Sequence, residues 1–347
     1  MPLPIINPLI DKLSAPPIPA VQAWARQYDG AHGPLIDLSQ AVPGYPPHPD
    51  MLRFLGEAAS SVAYAGYGPI EGETVLREAY ARHVGNLYGA EIKAGNIHIT
   101  SGCNQAFIAA IMCVAQSGDT VLATDPFYFN HQSSLEMLGI RSETMLCRAE
   151  NGFVPDIEDV RAALQKGVRA LVLVSPNNPT GAIYPPQLLA QIYAACRDNG
   201  TWLLLDETYR DFLSDADQAP HDLFKEADWP SHLIQLYSFS KSFCIPGHRL
   251  GAIVAGADMV ANVAKAMDNL QICATRAPPG AVAAALPVLA AWREENRQEI
   301  GRRAEALKAV MQQLPDWKLD AIGAYFAFVR HPFAGVGSAE VAEQLAH

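Results

Sequence analysis

Ser238-Phe239-Ser240-Lys241-Ser242-Phe243, followed shortly by Pro246-Gly247-His248-Arg249-Leu250-Gly251, is the stretch that decides how this chain folds. It comes directly after Leu233–Tyr237, an apolar run typical of a buried strand. A lysine without an ion-pair partner can lose its proton and attack an aldehyde, forming a Schiff base. The arginine that follows eight residues later offers a planar fork suited to a phosphate. A surface turn with a solvated lysine is the alternative, because short motifs also arise by chance.

Short apolar runs on both sides of this stretch alternate with helical patterns. The predicted strands are Ile97–Thr100, Thr120–Thr124, Ala170–Val174, Trp202–Leu205, Leu233–Tyr237, Ala252–Ala255 and Tyr325–Arg330. The predicted helices include Glu73–Tyr88, Asn104–Gln116, Ile157–Gln165, Pro186–Asn199 and Arg293–Gln313. This alternation predicts an α/β fold with a mostly parallel sheet covered on both faces. Ligands bind beyond the carboxyl ends of the strands in such sheets, so the polar residues found there are candidates for a site.

Two predicted strands end in residues suited to a nitrogen-containing ring. Asp206, in Asp206-Glu207-Thr208-Tyr209, can pair with a protonated ring nitrogen. An Asp in this place also commonly caps a helix, which is the alternative. Asn178 lies in Ser175-Pro176-Asn177-Asn178-Pro179-Thr180-Gly181, a turn fixed by two prolines and a glycine. Its amide offers donors and an acceptor, although a plain Asn-Pro turn would look the same.

Two earlier segments offer contacts to an anion and to a planar group. Ser101-Gly102-Cys103-Asn104-Gln105 enters a predicted helix, and free N–H groups at a helix N-terminus attract anions. Many α/β turns share this pattern, so it is a weak signal by itself. Tyr128, in Asp125-Pro126-Phe127-Tyr128-Phe129-Asn130-His131, could stack on a planar cofactor. Its neighbours Phe127 and Phe129 are better explained as core residues.

Together these segments resemble the class I/II aminotransferases, the pyridoxal 5'-phosphate (PLP) enzymes of fold type I in the aspartate aminotransferase superfamily. The resemblance runs from about residue 30 to the end, and N-P-T-G, D-E-x-Y and S-x-S-K occur in the family's order. It implies a large PLP-binding domain with a mostly parallel seven-stranded sheet between helices, a smaller α/β domain and an N-terminal arm. We expect the arm and part of the small domain in residues 1–45, the large domain in 46–275 and the small domain in 276–347.

The resemblance also implies a role for each matching residue. Lys241 forms the Schiff base with PLP and moves the proton between the substrate and the cofactor. Asp206 pairs with the pyridine nitrogen, and Tyr209 and Asn178 hydrogen-bond the phenolic oxygen. Asn178 should also lie near the substrate carboxylate. Further contacts to the ring and the phosphate are implied for Tyr128, Ser238, Arg249, Gly102, Cys103 and Asn104, and for Tyr67 of the partner subunit in a homodimer with shared active sites.

The sequence departs from the family in two places. Relatives continue beyond the last predicted strand with an arginine that binds the substrate's α-carboxylate. No residue here stands in a matching context, so we expect the small domain to be incomplete at the C-terminus. Relatives selective for aspartate carry an arginine shortly before a Pro-Pro pair. Arg276 lies close to Pro278-Pro279 but out of register, which argues against strict dicarboxylate specificity.

Composition limits the class of protein. The 347 residues are half apolar and carry a net charge of −11, which supports a large core and argues against a nucleic-acid surface. The six cysteines show no C-x-x-C spacing, which argues against a zinc site and fits a reducing compartment. We find no signal peptide and no apolar run long enough to span a bilayer. We expect a cytoplasmic protein with no metal, and an extended, irregular N-terminal arm because its first fifty residues are rich in proline.

The leading functional hypothesis is transamination between an α-amino acid and a 2-oxo acid by a two-stage, ping-pong cycle. β-Elimination from a sulfur-containing amino acid, as in C–S lyases, would use the same cofactor-holding residues, and the motifs do not separate the two. A PLP-binding sensor domain of a transcription regulator would follow a basic helix-turn-helix module, which the short, non-basic arm does not provide. A nicotinamide-dependent oxidoreductase is disfavoured because no predicted strand precedes G-x-G-x-x-G.

Overall fold

The computed structural model describes residues 4–214 and 218–347, which form a seven-stranded sheet, a two-stranded sheet and the helices around them. The strands are β1 Ile97–Thr100, β2 Thr120–Asp125, β3 Arg141–Leu146, β4 Ala170–Val174, β5 Trp202–Asp206, β6 Leu233–Ser238, β7 Gly251–Val254, β8 Lys318–Gly323 and β9 Phe326–Arg330. The helices are α1 Pro8–Asp11, α2 Pro17–Ala25, α3 Pro49–Ala59, α4 Thr74–Tyr88, α5 Cys103–Val114, α6 Phe129–Met137, α7 Ile157–Leu164, α8 Pro186–Asp198, α9 Phe239–Ser242, α10 Ala257–Gln271, α11 Ala277–Val288, α12 Ala290–Met311 and α13 Ser338–Ala346.

The large sheet has the strand order β1-β7-β6-β5-β4-β2-β3. Strands β3, β2, β4, β5 and β6 run parallel, whereas β7 runs antiparallel to its neighbours β6 and β1. The predicted α/β fold with a mostly parallel sheet is therefore confirmed. Every strand of this sheet except β7 ends at the same edge, so the residues that follow β1, β4, β5 and β6 are brought side by side.

The sheet separates two hydrophobic cores. Leu203 and Leu205 of β5 belong to the core that contains Tyr80 of α4, whereas Leu204 between them belongs to the core that contains Phe107 of α5. This alternation places successive side chains on opposite faces, and both faces are buried. A strand of this kind appears in the sequence as a continuous apolar run, which is why the central strands were predicted almost to the residue.

Strands β3 and β8 were missed by the sequence analysis. β3 lies at the edge of the large sheet and, apart from Met145, its residues are exposed or only partly buried. β8 pairs only with β9, and none of its residues is fully buried. Strands that bury neither face completely need no apolar run, so the sequence carries little signal for them.

The N-terminal fifty residues are not uniformly irregular. Helices α1 and α2 begin at Pro8 and Pro17, and α3 begins at Pro49. The first position of a helix needs no N–H donor, and the fixed φ of proline suits it. The expectation of an extended arm was therefore wrong for α1 and α2, where proline starts a helix instead of preventing one. Residues 26–48 contain neither helix nor strand.

Within the described ranges, no helix combines the length and the apolar character needed to cross a membrane. The same ranges contain no group of three or more His, Cys, Asp or Glu side chains arranged to hold a metal ion.

Candidate active site

A cavity of about 200 Å³ lies at the carboxyl edge of the large sheet. Its walls are formed by Cys103, Asn104, Tyr128, Val174, Asn178, Asp206, Thr208, Tyr209, Ser238, Ser240, Lys241, Pro246 and Arg249. Nine of these thirteen residues are ones that the sequence singled out. Val174, Thr208, Ser240 and Pro246 were assigned no role, although each lies in a strand or motif that the sequence singled out.

Lys241 enters the cavity from α9, a four-residue helix directly after β6. The helix begins at Ser238, whose Oγ accepts the backbone N–H of Ser240 at 3.3 Å. The Lys241 Nζ donates to the carbonyl oxygen of Ala41 at 2.6 Å, so the N-terminal segment crosses the site. Burial and the charge of Arg249 lower the pKa of Lys241 to about 8. Such an amine is partly neutral near pH 7, which attack on an aldehyde requires.

The lowered pKa of Lys241 predicts a pH dependence of cofactor capture. In cofactor-free protein, the rate constant for capture of added PLP should rise with pH through a midpoint at about 8, because only the neutral amine attacks. Stopped-flow absorbance across this range measures it. A midpoint at the ordinary lysine value of about 10.4 would show that burial and Arg249 do not act on the amine.

Asp206 is the carboxylate of the cavity and is 4% exposed. Its Oδ1 accepts the backbone N–H of Thr208 at 3.0 Å, and its Oδ2 lies 3.4 Å from His131 Nε2 and 3.5 Å from Cys103 Sγ. Burial opposes its ionisation, but the contacts with His131 and Thr208 outweigh burial and hold the pKa of the carboxyl below its ordinary value. A buried carboxylate that stays ionised attracts a cationic group, such as a protonated ring nitrogen.

His131 is a site residue that sequence reasoning missed. It lies on α6, stacks on the Phe107 ring with 4.0 Å between ring centres, and meets the Tyr128 ring edge-on at 5.1 Å. His131 was inside the quoted segment, three residues after Tyr128. Because residues three apart share one face of a helix, that spacing was the signal that could have found it.

Arg249 and the start of α5 form an anion cradle. Gly102 precedes α5 with φ +89°, and a Cβ at this position would lie 2.8 Å from Arg249 Cζ. The guanidinium therefore passes over the helix N-terminus, where the first N–H groups have no partners within the helix. It donates to the carbonyl oxygen of Pro246 at 3.1 Å. Positive charge and free donors together suit a phosphate.

Gly102 offers a test of this cradle with a matched control. Gly102→Ala should weaken cofactor binding by about tenfold or more, because the added methyl group displaces the Arg249 guanidinium. Gly118 has φ +88° and open space around its Cβ position. Gly118→Ala therefore also places a side chain at positive φ, a strained backbone conformation, without touching the cradle. Equilibrium titration of each variant with PLP measures the difference. Equal affinities for the two variants would contradict the cradle.

The remaining predicted residues fall into two groups. The Tyr128 hydroxyl donates to Asn104 Oδ1 at 3.3 Å and accepts from Asn130 Nδ2 at 2.7 Å, which fixes the ring at the cavity wall. Asn178 also lines the cavity. Tyr67, by contrast, is 81% exposed and is not part of the cavity of its own chain.

Comparison with known proteins decides the family. The sequence profile described as "Aminotransferase class I and II" matches residues 29–346. The chain belongs to the class I and II aminotransferases. The aminotransferase is 26% identical over 319 residues to the aromatic aminotransferase ISS1 of Arabidopsis thaliana, with 90% of this chain and 79% of that protein covered. It is 27% identical over 302 residues to an aspartate aminotransferase of Pyrococcus horikoshii, with 86% and 76% covered.

Solved structures share the fold of the aminotransferase. Substrate-bound BacF of Bacillus subtilis superposes with a TM-score of 0.90 at 24% identity, covering 99% of this chain and 87% of that chain. The aspartate aminotransferase of Thermus thermophilus with maleate gives 0.84 at 24% identity, covering 93% and 84%. The predicted fold type I architecture is confirmed, and the enzyme is a PLP-dependent aminotransferase.

The residues of the cavity fit the cofactor that this family uses. The same cavity is lined by an amine, a buried carboxylate and an anion cradle. These three groups suit the aldehyde, the pyridine nitrogen and the phosphate of PLP, respectively. The Ser240 Oγ is buried at the cavity and has no hydrogen-bond partner among the described residues. A buried hydroxyl without a partner is costly, and a polar ligand in the cavity would supply one.

Proposed function

We propose that Lys241 is the residue that holds PLP and that this cavity carries out both half-reactions of transamination, from an α-amino acid to a 2-oxo acid. The observation that carries the proposal is the lowered pKa of the Lys241 amine in the same cavity as an ionised, buried Asp206. When bound, PLP supplies an electron-accepting ring beside the substrate's α-carbon. The free Lys241 Nζ would act as the general base that takes up the substrate's α-proton.

The other side chains bind and orient. Asp206 would accept the ring N–H, and His131, which contacts Asp206 Oδ2, would support its negative charge. Arg249 and the N–H groups at the start of α5 hold the phosphate. Tyr209 and Asn178, which line the cavity, would hydrogen-bond the phenolic oxygen, and Asn178 would also contact the substrate carboxylate. Such positioning selects which bond of the substrate breaks. The hydroxyl of Ser240 is an additional donor from this chain, since it has no other partner among the described residues.

The proposal includes a homodimer in which Tyr67 of the partner subunit reaches the phosphate. Tyr67 is 81% exposed and Val62 on the same segment is 89% exposed, although both side chains are largely apolar. Two large, mainly apolar side chains exposed five residues apart favour a contact surface at this segment. The free thiols of all six cysteines support a reducing compartment, and we propose the cytoplasm.

The substrate side chain is proposed not to be strictly a dicarboxylate. The Arg276 Nε donates to Glu73 Oε1 at 2.5 Å, and its Nη1 donates to the carbonyl oxygen of Gly66 at 2.9 Å. The charge of Arg276 is therefore compensated within its own chain and is a poor anchor for a second substrate carboxylate. Relatives named for aromatic and for aspartate substrates both match this chain, so the donor has to be found by experiment.

The test is an absorbance titration of the PLP-loaded enzyme with single amino acids. L-Phenylalanine and L-aspartate are the first donors, and 2-oxoglutarate is the acceptor. We expect a visible band that one donor bleaches and that the acceptor restores, which measures both half-reactions and names the donor class. Release of pyruvate and ammonia without an acceptor would indicate β-elimination instead. A band in Lys241→Ala equal to that of the wild type would overturn the assignment of Lys241.

A further inference from the structure

A line of hydrogen bonds connects the Asp211 carboxylate to the residue that follows Lys241. The Tyr237 hydroxyl donates to Asp211 Oδ2 at 2.6 Å and lies 2.7 Å from Ser242 Oγ. Tyr237 is 1% exposed and lies at the end of β6, and Ser242 is 3% exposed and ends α9. Asp211 comes from the turn after β5. The turn after β5 and the end of β6 therefore supply a carboxylate and a phenol that support the helix carrying the lysine.

The charges around Asp211 determine the direction of these bonds. Burial opposes ionisation, but Arg210 and Arg293 outweigh it and hold the pKa of Asp211 below its ordinary value, so the carboxylate can only accept. Burial and Asp211 raise the pKa of Tyr237 well above its ordinary value, so Tyr237 stays protonated. Its hydroxyl donates a hydrogen bond to Asp211. With its single proton committed, the Tyr237 oxygen can only accept from the Ser242 hydroxyl.

Aromatic and cationic side chains enclose the same turn. The Arg210 guanidinium lies over the Tyr237 ring, 4.2 Å from its centre, and Arg293 of α12 lies 5.2 Å from the centre of the Phe243 ring. His83 also faces Asp211, and burial together with the two arginines lowers its pKa to about 4, so it is neutral near pH 7. Asp211, His83 and the two arginines line a second cavity of about 170 Å³, whereas Tyr237 and Ser242 are buried behind it. The Tyr237–Ser242 hydrogen bond is therefore shielded from water, where such a bond holds geometry well.

A helix as short as α9 cannot fix its own orientation. Its four residues contain about one turn, and a single turn is unstable unless other contacts hold it. Ser238 caps its start, and Ser242 is the side chain that ties its end to the sheet through Tyr237. Asp211, Tyr237 and Ser242 do not line the cavity, so none of them contacts a ligand there.

We propose that Asp211, Tyr237 and Ser242 form a positioning relay that sets the orientation of Lys241 in the cavity. The relay acts through the backbone of α9 and not by contact with the substrate. This inference rests on the proposed role of Lys241 as the cofactor-holding residue. A misplacement of the reacting amine by a fraction of an ångström lowers the rate of proton transfer more than it lowers substrate affinity.

The experiment compares Tyr237→Phe, Ser242→Ala and the double variant, all loaded with PLP, using whichever of L-phenylalanine and L-aspartate bleaches the wild-type band. We expect each single variant to lower kcat about tenfold and to change KM less than about threefold. The pH midpoint of the visible band should move by about half a unit or more, since the environment of the Lys241 nitrogen changes. The double variant should be no slower than the slower single variant, because both remove one relay.

Two controls separate positioning from stability. The Tyr193 hydroxyl donates to Asp228 Oδ1 at 2.7 Å, and Tyr193 is as buried as Tyr237, but it belongs to α8, away from Lys241. Tyr193→Phe should keep the wild-type kcat and midpoint. Ser242→Thr retains the hydroxyl and should restore kcat to near the wild-type value. If Tyr237→Phe does not fold, Ser242→Ala and Ser242→Thr still carry the comparison.

The outcomes distinguish this inference from the proposed function. Wild-type kcat and an unmoved midpoint in both Tyr237→Phe and Ser242→Ala would overturn the relay, as would an equal loss in Tyr193→Phe. If the visible band is lost in Lys241→Ala but is unchanged in the relay variants, only the relay is overturned. A wild-type band that survives Lys241→Ala unchanged removes the proposed function and the relay with it.

Discussion

Replacing Lys241 by alanine should lower the rate of transamination by at least about 10³-fold, the largest effect expected of any single substitution. Two functions are lost together if the proposal is right, because it assigns both attachment of the cofactor and transfer of the α-proton to the same nitrogen. The fold should persist, since Lys241 is partly exposed in the cavity and removal of an amine with a lowered pKa relieves a desolvation cost. Steady-state kinetics, the visible spectrum of the PLP-loaded protein and circular dichroism measure the three outcomes.

Lys265 supplies the matched control for this variant. It lies on α10 and its Nζ donates to Asn262 Oδ1 at 3.0 Å on the exposed surface of that helix. Lys265→Ala should leave the spectrum and kcat at the wild-type values. If Lys241→Ala kept more than about one tenth of the wild-type rate, another residue would have to move the proton, and the assignment of the base would be wrong.

Asp206→Asn should lower kcat by about 10² to 10³-fold while PLP still binds. The amide has the shape of the carboxylate but no charge, so it cannot stabilise positive charge on a ring nitrogen. The contact of Asp206 Oδ2 with His131 Nε2, 3.4 Å long, would also lose its charge. Rapid-mixing absorbance with a single donor measures the loss in the first half-reaction directly.

Glu207→Gln is the control for Asp206→Asn, because it also removes a buried negative charge but does so outside the cavity. Glu207 follows Asp206 in the chain, is 2% exposed, and accepts the Tyr88 hydroxyl at 2.5 Å, but it does not line the cavity. Glu207→Gln should lower the stability of the protein by roughly 1 to 3 kcal/mol, because a buried network loses its charge, with little change in kcat of the folded enzyme. A kcat for Asp206→Asn within tenfold of the wild type would count against the role of the Asp206 charge.

The proposed site residues differ in how readily they could be predicted from the sequence. Asp206 and Ser238 are the last residues of buried strands and Lys241 follows β6 by three residues, so their positions depend on strand ends that the apolar runs define. His131 and Ser240 are not marked by a strand end, and their importance depends mainly on what lies opposite them. The division of the chain near residues 45 and 275 stays a prediction.

The residues of the relay were likewise not recognisable as partners from the sequence. Tyr237 looks like an ordinary apolar strand residue and Ser242 like a small residue of the lysine motif. Their connection appears only when β5 and β6 pair and Asp211 reaches the end of α9. Spacing along the chain contains no information on this contact, since the partners lie on different elements.

The sequence by itself determined the positions of six of the seven strands of the large sheet, the family, and the lysine, carboxylate and arginine proposed to meet the cofactor. These follow from local rules: buried parallel strands are continuous apolar runs, and their carboxyl ends converge. Only the tertiary structure decided that Ala41 reaches Lys241 across 200 residues, that His131 supports Asp206, and that Asp211 and Tyr237 support α9. Such contacts depend on how whole elements pack, and packing sums many long-range interactions that no local pattern encodes.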